Sequence, residues 1–426
     1  MTHPRVGRLV RNATALMVSG AGTAVVGVLF WSVAAHRVAP ATIGRASAEI
    51  SAITLVATLA QLGIPSMFER FLPVSGARTR VIILRAYGVC VAAALVLSVG
   101  YLAGGLGTAF VPTAFAWRAF FVGASVLWTV FALQDSVLVG LRATRWVPVE
   151  NITYSVAKLA LLPLLVAVAG SNAILVAWVA PVVVAIVAVN WYLFSRRVPH
   201  YEARATPAEE FPSWRHFVSL AGAQYATLLI NVLTPLVAVI IVIRRLGPVA
   251  GAHYYLPALV ASGVSLFLGS IMRSFLVEAS TEPESVARHA RVALRATLLV
   301  VLVSVVVGVA VAPLLLRLFG ASYAAEGATL LRLLLVSLVG FAVTDFYSAF
   351  ALLDQKVWRI VVREALATAL YFTLVVTLIG RLGIVALGIA ALVNASLQGL
   401  LFLPALLARW RALRIPRGQS GARHGS

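Results

Sequence analysis

The sequence predicts an all-α polytopic membrane protein with about 12 transmembrane helices in two six-helix halves. Three observations support this fold class. First, the 426 residues are 61% hydrophobic and 11% charged, which cannot supply the polar surface of a soluble protein of this length. Second, the apolar residues fall into runs of roughly 20, the length that a helix needs to cross a bilayer core of about 30 Å. Third, a phrase that follows the first run returns near the middle of the chain.

The predicted spans are separated by short polar breaks with turn-forming glycine and proline. They cover residues 10–35, 43–65, 80–104, 115–140, 147–169, 172–195, 215–243, 250–277, 290–315, 327–352, 357–379 and 382–408. Residues 313–326 leave an alternative open, because this stretch can also dip back into the membrane as a re-entrant segment.

Basic residues predict the orientation, since lysine and arginine concentrate on the cytoplasmic side of a membrane protein. The sparsely charged set of loops holds eight of the 34 basic residues, and Lys158 lies inside a span. The eight are Arg37, Arg45, Arg118, Arg244, Arg245, Arg317, Arg332 and Arg381. All other basic residues flank the opposite ends of the spans, so we expect both termini in the cytoplasm.

The domain organisation follows from the longest polar loop. We predict an N-terminal six-helix half over 1–199, a cytoplasmic linker over 200–214, a C-terminal six-helix half over 215–408 and a basic cytoplasmic tail over 409–426. Because six is even, both halves enter the membrane in the same direction. The substrate path is then expected between them.

Several classes of function are not indicated by the sequence. The net charge of +20 is spread over cytoplasmic loops, where topology and anionic lipid account for it, so we expect no nucleic-acid partner. The single cysteine, Cys90, lies in an apolar run and indicates a buried side chain. No cleavable signal peptide, phosphate-binding loop or metal-binding histidine cluster is evident, so we expect no cofactor and no bound metal. The strong preference for arginine over lysine indicates a GC-rich, bacterial genome.

The returning phrase supports an internal repeat. Residues 34–51 read "AAHRVAPATIGRASAEIS", and residues 242–258 read "VIRRLGPVAGAHYYLPA". Arg37 and Pro40 correspond to Arg245 and Pro248, and each phrase follows the first span of a half. The alternative is coincidence, since a Pro/Gly turn and an interfacial arginine are common in loops.

The segment 30–73 resembles the opening of the polysaccharide transporters, or Wzx-type flippases, of the multidrug/oligosaccharidyl-lipid/polysaccharide (MOP) exporter superfamily. The matching features are Asn12, the Pro40–Gly44 turn, Leu62–Ile64, Arg70 and the phrase at Leu318–Tyr323. The chain departs from the family in lacking acidic residues after the Pro40 turn. The resemblance implies a MATE/MOP-like fold and a polyprenyl-diphosphate-linked oligosaccharide as substrate.

Lys158 is the most informative charge, because a charged side chain near the bilayer centre costs at least about 2.5 kcal/mol and normally faces a cavity or a partner. Asn151, Tyr154, Ser155 and Lys158 fall on one face of span five. We expect this face to line the transport path, the alternative being that Lys158 pairs with a buried acid.

Other polar residues within or beside the spans are candidates for the path or for ion coupling. Span seven carries a stripe that includes Gln224 and Asn231, which either lines the path or bonds neighbouring helices. Arg45 and Glu49 form a potential i, i+4 pair near the outer mouth. The path candidates are Lys158, Asn151, Tyr154, Arg45, Arg118, Gln224 and Asn231, and the ion-coupling candidates are Glu49, Asp135 and Asp345.

The sequence thus predicts a flippase of the cytoplasmic membrane that translocates a lipid-linked oligosaccharide, a cell-surface polysaccharide precursor, by alternating access. Expected partners are that substrate, membrane lipids, a proton or sodium ion, and a polysaccharide polymerase or glycosyltransferases. Two alternatives stay open: a multidrug antiporter for organic cations, and a membrane enzyme of polysaccharide assembly. The enzyme is disfavoured because no long outer loop carries paired acids or histidine, so we expect no catalytic residues.

Overall fold

The described part of the protein, in a computed structural model, is helical. The structure describes residues 22–203, 214–281, 285–354 and 357–414, and these residues contain no β-strand. Such an architecture suits a bilayer, because a helix satisfies its backbone hydrogen bonds internally where no water is present.

The first part of the chain contains eight helices within the described residues. Helix α1 covers residues 22–37. It is followed by α2 Pro40–Ala60, α3 Ile64–Phe71, α4 Thr79–Ala103, α5 Phe115–Gly140, α6 Trp146–Ala169, α7 Ala173–Tyr192 and the short α8 Val198–Glu202.

Seven longer or paired helices make up the remainder of the described chain. They are α9 Trp214–Leu246, α10 Pro248–Thr281, α11 Val286–Val303, α12 Val309–Arg317, α13 Ala321–Leu353, α14 Val357–Leu382 and α15 Val385–Arg414. A π-helical turn at Ser304–Gly308 joins α11 to α12, so these two helices form one continuous rod.

The helix bounds confirm the predicted fold class. Ten helical segments of the described residues are long and apolar enough to cross a membrane. One of them, Trp146–Glu202, contains two of the predicted spans, which meet at Gly170. Helix α1 begins the described chain and corresponds to the first predicted span.

The exposed surfaces of these helices are strongly apolar. Val168 is 86% exposed and Val96 is 72% exposed, and both lie within candidate spans. Broad exposed apolar surface is unfavourable in water and is the expected outer surface of a bundle in lipid. The protein is therefore a multi-pass membrane protein.

Two details go beyond the sequence prediction. Helix α3 is a short helix that no predicted span anticipated, and it packs on α5, where a Cβ at Gly140 would lie 2.5 Å from the carbonyl oxygen of Phe68. The stretch 313–326 contains the end of α12, a turn at Gly320 with φ of 131° and the start of α13. It is a helix–turn–helix connection.

The described chain packs as two compact units. The first contains the described residues up to Pro257 together with Leu315–Gly327, and the second contains Ala258–Leu314 with the described residues from Ala328 onward. The core of the first unit includes Phe68, Ile83 and Leu133. The core of the second includes Phe275 and Phe346. The predicted halves follow membrane topology, a different criterion, and stay a prediction.

The two copies of the repeated phrase contact each other within the first unit. A Cβ at Gly44, on α2, would overlap the carbonyl oxygen of Pro248 at the start of α10. Gly251 lies on the same contact, since a Cβ there would be 3.7 Å from the Cα of Gly44. Glycine is thus required at position 44, where the backbones approach too closely for any side chain. At Gly251 a Cβ would instead overlap the side chain of Ile243, in the same phrase.

Candidate functional site

Lys158 lies on α6 against aromatic rings in the first unit. Its Nζ is 4.9 Å from the ring centroid of Tyr154, one turn earlier on α6, and 5.5 Å from that of Phe30 on α1. The faces of aromatic rings attract a cation, and this attraction is worth about 2 kcal/mol where water is excluded. Among the residues that the structure describes, Lys158 forms no ion pair with a carboxylate.

The rings around Lys158 belong to a larger aromatic cluster. Trp128 on α5 stacks on Trp178 of α7 at 3.9 Å, and Tyr154 lies 5.1 Å from Phe131. The Tyr154 hydroxyl donates to the carbonyl oxygen of Trp178 at 3.1 Å, which fixes the ring beneath Lys158. On the α1 side, Trp31 contacts Tyr255 of α10 at 4.8 Å. Five helices therefore build the aromatic cluster in which Lys158 sits.

The predicted polar face of span five divides between two environments. Tyr154 and Ser155 are buried beside Lys158, as part of the packed interior. Asn151 instead donates from Nδ2 to Oδ2 of Asp135 at 3.2 Å and to the carbonyl oxygen of Val147 at 3.0 Å. Asp135 is thus bonded to an amide and forms no ion pair with Lys158.

Asp135 belongs to a group that we call the amide–acid cluster, formed by Gln134, Asp135, Glu150, Asn151 and Asn190. Gln134 on α5 donates to Oε1 of Glu150 on α6, and Asn190 on α7 donates to Oε1 of Gln134 at 3.0 Å. Gln134 is fully buried and Glu150 is 6% exposed. Three amide side chains thus hold two carboxylates at the ends of α5 and α7 and the start of α6.

The amide–acid cluster has fewer donors than acceptors. Oδ1 of Asp135, Oε2 of Glu150 and Oδ1 of Asn190 are buried without a hydrogen-bond partner in the described part of the chain. Tyr87 on α4 is within electrostatic range of both carboxylates, and its hydroxyl is likewise without a partner there. Sequence reasoning included Asp135 and Asn151 but missed Glu150, although Glu150 directly precedes Asn151.

A second acidic group, which we call the arginine–acid cluster, lies in the second unit and consists of Asp345, Arg363 and Glu364. Arg363 on α14 is 8% exposed, pairs with Glu364 and donates from Nη1 to the carbonyl oxygen of Thr344 at 3.0 Å. Asp345 on α13 interacts electrostatically with both. The guanidinium also lies 5.7 Å from the ring centroid of Phe402 on α15.

A polar cavity of about 370 Å³ lies in the first unit, at the helix ends opposite to those that carry the amide–acid cluster. It is lined by the start of α2, the loop between α4 and α5, the start of α5 and the turn between α6 and α7. These turns all belong to the side that the charge pattern predicts to be external. We call this cavity the outer cavity.

Arg45 and Glu49 both line the outer cavity, one turn apart on α2. Arg45 is exposed, whereas Glu49 is 5% exposed. They interact electrostatically, but the described residues contain no direct ion pair between them. The predicted i, i+4 pairing is thus present as proximity and not as a salt bridge.

The remaining path candidates are Arg118, Asn231 and Gln224. Arg118 is exposed at the start of α5 and does not line the outer cavity. Asn231 lies exposed on α9, and the side chain of Gln224 lies outside the described residues. Within the first unit, Lys158, Asp135 and Glu49 thus lie in three different environments.

Comparison with known proteins supports the fold. No protein-family model matches the sequence, and no curated protein matches it. Among solved structures, the lipid II flippase MurJ in an inward closed conformation is similar with a TM-score of 0.67 and 12% identity, over 95% of this chain and 90% of that one.

Two further structures show the same likeness. An inward-facing multidrug resistance MATE family transporter of the MOP superfamily has a TM-score of 0.61 and 14% identity, over 93% of this chain and 94% of that one. A MOP superfamily transporter from Pyrococcus furiosus has a TM-score of 0.59 and 14% identity, over 95% and 96% of the two chains. At such low identity the likeness shows the fold of these transporters, which confirms the predicted MATE/MOP-like architecture.

Proposed function

We propose that this protein is a flippase that moves a polyprenyl-diphosphate-linked oligosaccharide across the cytoplasmic membrane by alternating access. The observation that carries the proposal is Lys158, a cation held within a span by aromatic rings and without a carboxylate partner among the described residues. Such a charge is costly in a bilayer and is retained where it faces a pathway.

A fixed positive charge suits the diphosphate of a lipid-linked sugar. The polyprenyl tail stays in the bilayer while the charged head group and sugars cross, so the diphosphate needs a counter-charge during transit. Lys158 supplies it near mid-membrane, and Arg45 and Arg118 supply it towards the predicted outer side. The membrane potential assists outward movement by about 2.3 kcal/mol per charge per 100 mV.

The fold is compatible with this function. Its structural neighbours include one protein named as a lipid II flippase and others named as multidrug transporters. Because the fold serves both, the argument depends on the chemistry of the site. We place Lys158, Asn151, Tyr154, Gln224 and Asn231 along the path.

Ion coupling is a separate part of the proposal. Asp135 and Asp345 are acids within spans, and either could exchange a proton or a sodium ion as the protein changes conformation. The predicted protein partners are a polysaccharide polymerase or glycosyltransferases. They would supply or consume the lipid-linked sugar on the two faces of the membrane.

The second candidate function is multidrug export. The aromatic cluster around Trp128 and Trp178 and the acids of the amide–acid cluster favour it, since aromatic faces and carboxylates attract organic cations. Lys158 opposes it, because a central cation repels such a substrate. An enzyme of polysaccharide assembly is the third and weakest candidate.

The test is made in a deletion strain that carries the wild-type gene, Lys158→Met or Lys158→Arg. We expect lipid-linked sugars to accumulate on the cytoplasmic leaflet in the deletion strain and with Lys158→Met. We expect wild type to prevent the accumulation fully and Lys158→Arg to prevent it in part, since arginine keeps the charge. Arg381→Gln is the matched control, because it removes an exposed cation at the end of α14.

Two results would contradict the proposal. Absence of accumulation together with increased sensitivity to cationic dyes would assign the protein to drug export. Full activity of Lys158→Met, at an expression level equal to that of wild type, would remove Lys158 from the path.

A further inference from the structure

We propose that the outer cavity is a binding site for neutral sugar units, which takes the oligosaccharide of the substrate on its way out. This inference rests on the proposed function, because it names the part of the lipid-linked substrate that the cavity recognises. The cavity measures about 370 Å³, within the size range of small-molecule sites.

Glu49 is the residue that most requires a ligand. Its side chain is 95% removed from solvent, since it is 5% exposed, and it lines the cavity. None of the described residues forms a hydrogen bond to its carboxylate, and the carboxylate oxygens are not fully enclosed by protein, so they face the cavity. A carboxylate in such a site needs hydrogen-bond donors, and they can reach it only from the cavity.

Arg45 determines which partner is suitable. It lines the same cavity and is close enough to interact electrostatically with Glu49, while both groups remain available for other bonds. A cation that approached Glu49 would meet the guanidinium, and an anion that approached Arg45 would meet the carboxylate. A neutral ligand that both donates and accepts hydrogen bonds avoids both repulsions.

The other walls favour a polyol over other neutral ligands. Thr42, Ser171 and Asn172 add hydroxyl and amide groups, each able to donate and to accept. The hydroxyl of Thr108 donates to the carbonyl oxygen of Gly105 at 3.0 Å, which leaves its oxygen free to accept. An apolar drug would leave these groups unpaired, whereas the hydroxyls of a sugar match them.

Trp117 supplies the apolar contact that a sugar also needs. It lies at the start of α5 and lines the cavity, and its ring meets Phe120 edge-on at 5.6 Å. An indole offers a flat apolar surface for the C–H face of a sugar ring and a polar N–H at its edge. The cavity thus combines a carboxylate, a guanidinium, small polar groups and two aromatic rings, those of Phe110 and Trp117. This inference assigns Glu49 to the substrate and not to a coupling ion.

The experiment monitors the ¹⁹F NMR signal of Trp117 while ligands are added. The full-length protein is labelled with 5-fluorotryptophan and reconstituted in nanodiscs, and Trp117→Phe identifies the Trp117 signal in the ¹⁹F NMR spectrum. The probes are neutral hexoses, N-acetylhexosamines and their disaccharides, sodium chloride against choline chloride, and inorganic diphosphate, all at constant pH and ionic strength. We expect the sugars alone to shift the Trp117 signal in a saturable manner.

Variants test the assigned groups. Glu49→Gln and Arg45→Gln are each expected to weaken sugar binding about tenfold, since each replaces a charged hydrogen-bond partner by a neutral one. Arg37→Gln is the matched control, because it removes an exposed arginine on the same connection outside the cavity. If Glu49→Gln fails to fold, Arg45→Gln alone decides.

The inference is overturned if no sugar shifts the Trp117 signal up to its solubility limit, or if only sodium or diphosphate does so. Its failure is distinct from that of the proposed function. A protein that moves lipid-linked sugars in cells but shows no sugar shift contradicts the cavity assignment alone. A sugar shift in a protein that prevents no accumulation contradicts the flippase alone.

Discussion

The amide–acid cluster and the arginine–acid cluster hold acids within spans in two different ways. In the first, Asp135 and Glu150 are bonded by neutral amides, and carboxylate oxygens remain without partners in the described part of the chain. In the second, Arg363 pairs with Glu364, and it is the guanidinium Nε that lacks a partner there. The amide–acid cluster therefore has fewer hydrogen-bond donors than acceptors, whereas the arginine–acid cluster has an unpaired hydrogen-bond donor.

This difference indicates different roles. A buried ion pair is stable only while both partners are present, so the arginine–acid cluster is suited to hold α13 and α14 in place. The amide–acid cluster contains acids without a basic partner among the described residues, so these acids can bind a proton or another cation that enters the cluster. We therefore expect the two clusters to respond oppositely when their charges are removed.

The largest effect is expected from Arg363→Leu. This change leaves the partly buried acids Glu364 and Asp345 without a base, and the expected cost is about 3–5 kcal/mol of unfolding free energy. The measurement is thermal unfolding of the purified protein in detergent, with the exposed neighbour Arg359→Leu as control. The double variant Arg363→Leu/Glu364→Leu should recover part of the loss, because only Asp345 then lacks its base. Failure to recover any of it would argue against the charge explanation.

A smaller effect is expected from Gln134→Leu in the amide–acid cluster. Gln134 both donates to Glu150 and accepts from Asn190, so its removal deprives the buried Glu150 of its hydrogen bond and leaves Asn190 Nδ2 with only the carbonyl oxygen of Ile186. The expected cost is about 1–3 kcal/mol, measured in the same way. Thr129→Val is the control, because the Thr129 hydroxyl bonds only to the carbonyl oxygen of Ser125 in its own helix. Equal losses in both variants would show that the amide bonds contribute nothing.

The smallest expected changes in unfolding free energy have opposite signs in the two clusters. Asp135→Asn removes a carboxylate that no base of the described residues balances, so we expect stability to rise by about 1 kcal/mol. Asp345→Asn removes a carboxylate that Arg363 attracts, so we expect stability to fall by a similar amount. Melting temperatures of the two isosteric variants, measured side by side, would contradict the comparison if they moved in the same direction.

Much of the fold was predictable from hydropathy. The spans agree with α1, α2, α4–α7 and α9–α15 because each crossing needs its own apolar stretch, which is a local property of the chain. Helix α3 was missed because eight residues of mixed polarity between two spans give no clear period. Residues 313–326 were ambiguous because the end of a membrane helix and a re-entrant segment can have the same apolar composition.

The candidate sites were predictable only in part. Lys158 stood out because a charge in an apolar run is visible in the sequence, and Glu49, Asp135 and Asp345 stood out for the same reason. Glu150 was missed because it lies near a predicted span end, where an acid is ordinary. Trp117 and Asn172 were missed because nothing in a loop sequence indicates that it lines a cavity.

The sequence by itself determined that the chain forms apolar helices that cross a membrane, approximately where along the chain they lie, and which of them carry a charge. Only the tertiary structure decided the neighbours of those charges: aromatic rings from several helices around Lys158, amides around Asp135, and an arginine from another helix near Asp345. It also placed Gly44 against Pro248. The physical reason is that the bilayer selects each span residue by residue, whereas contacts between helices depend on packing among segments far apart in the chain.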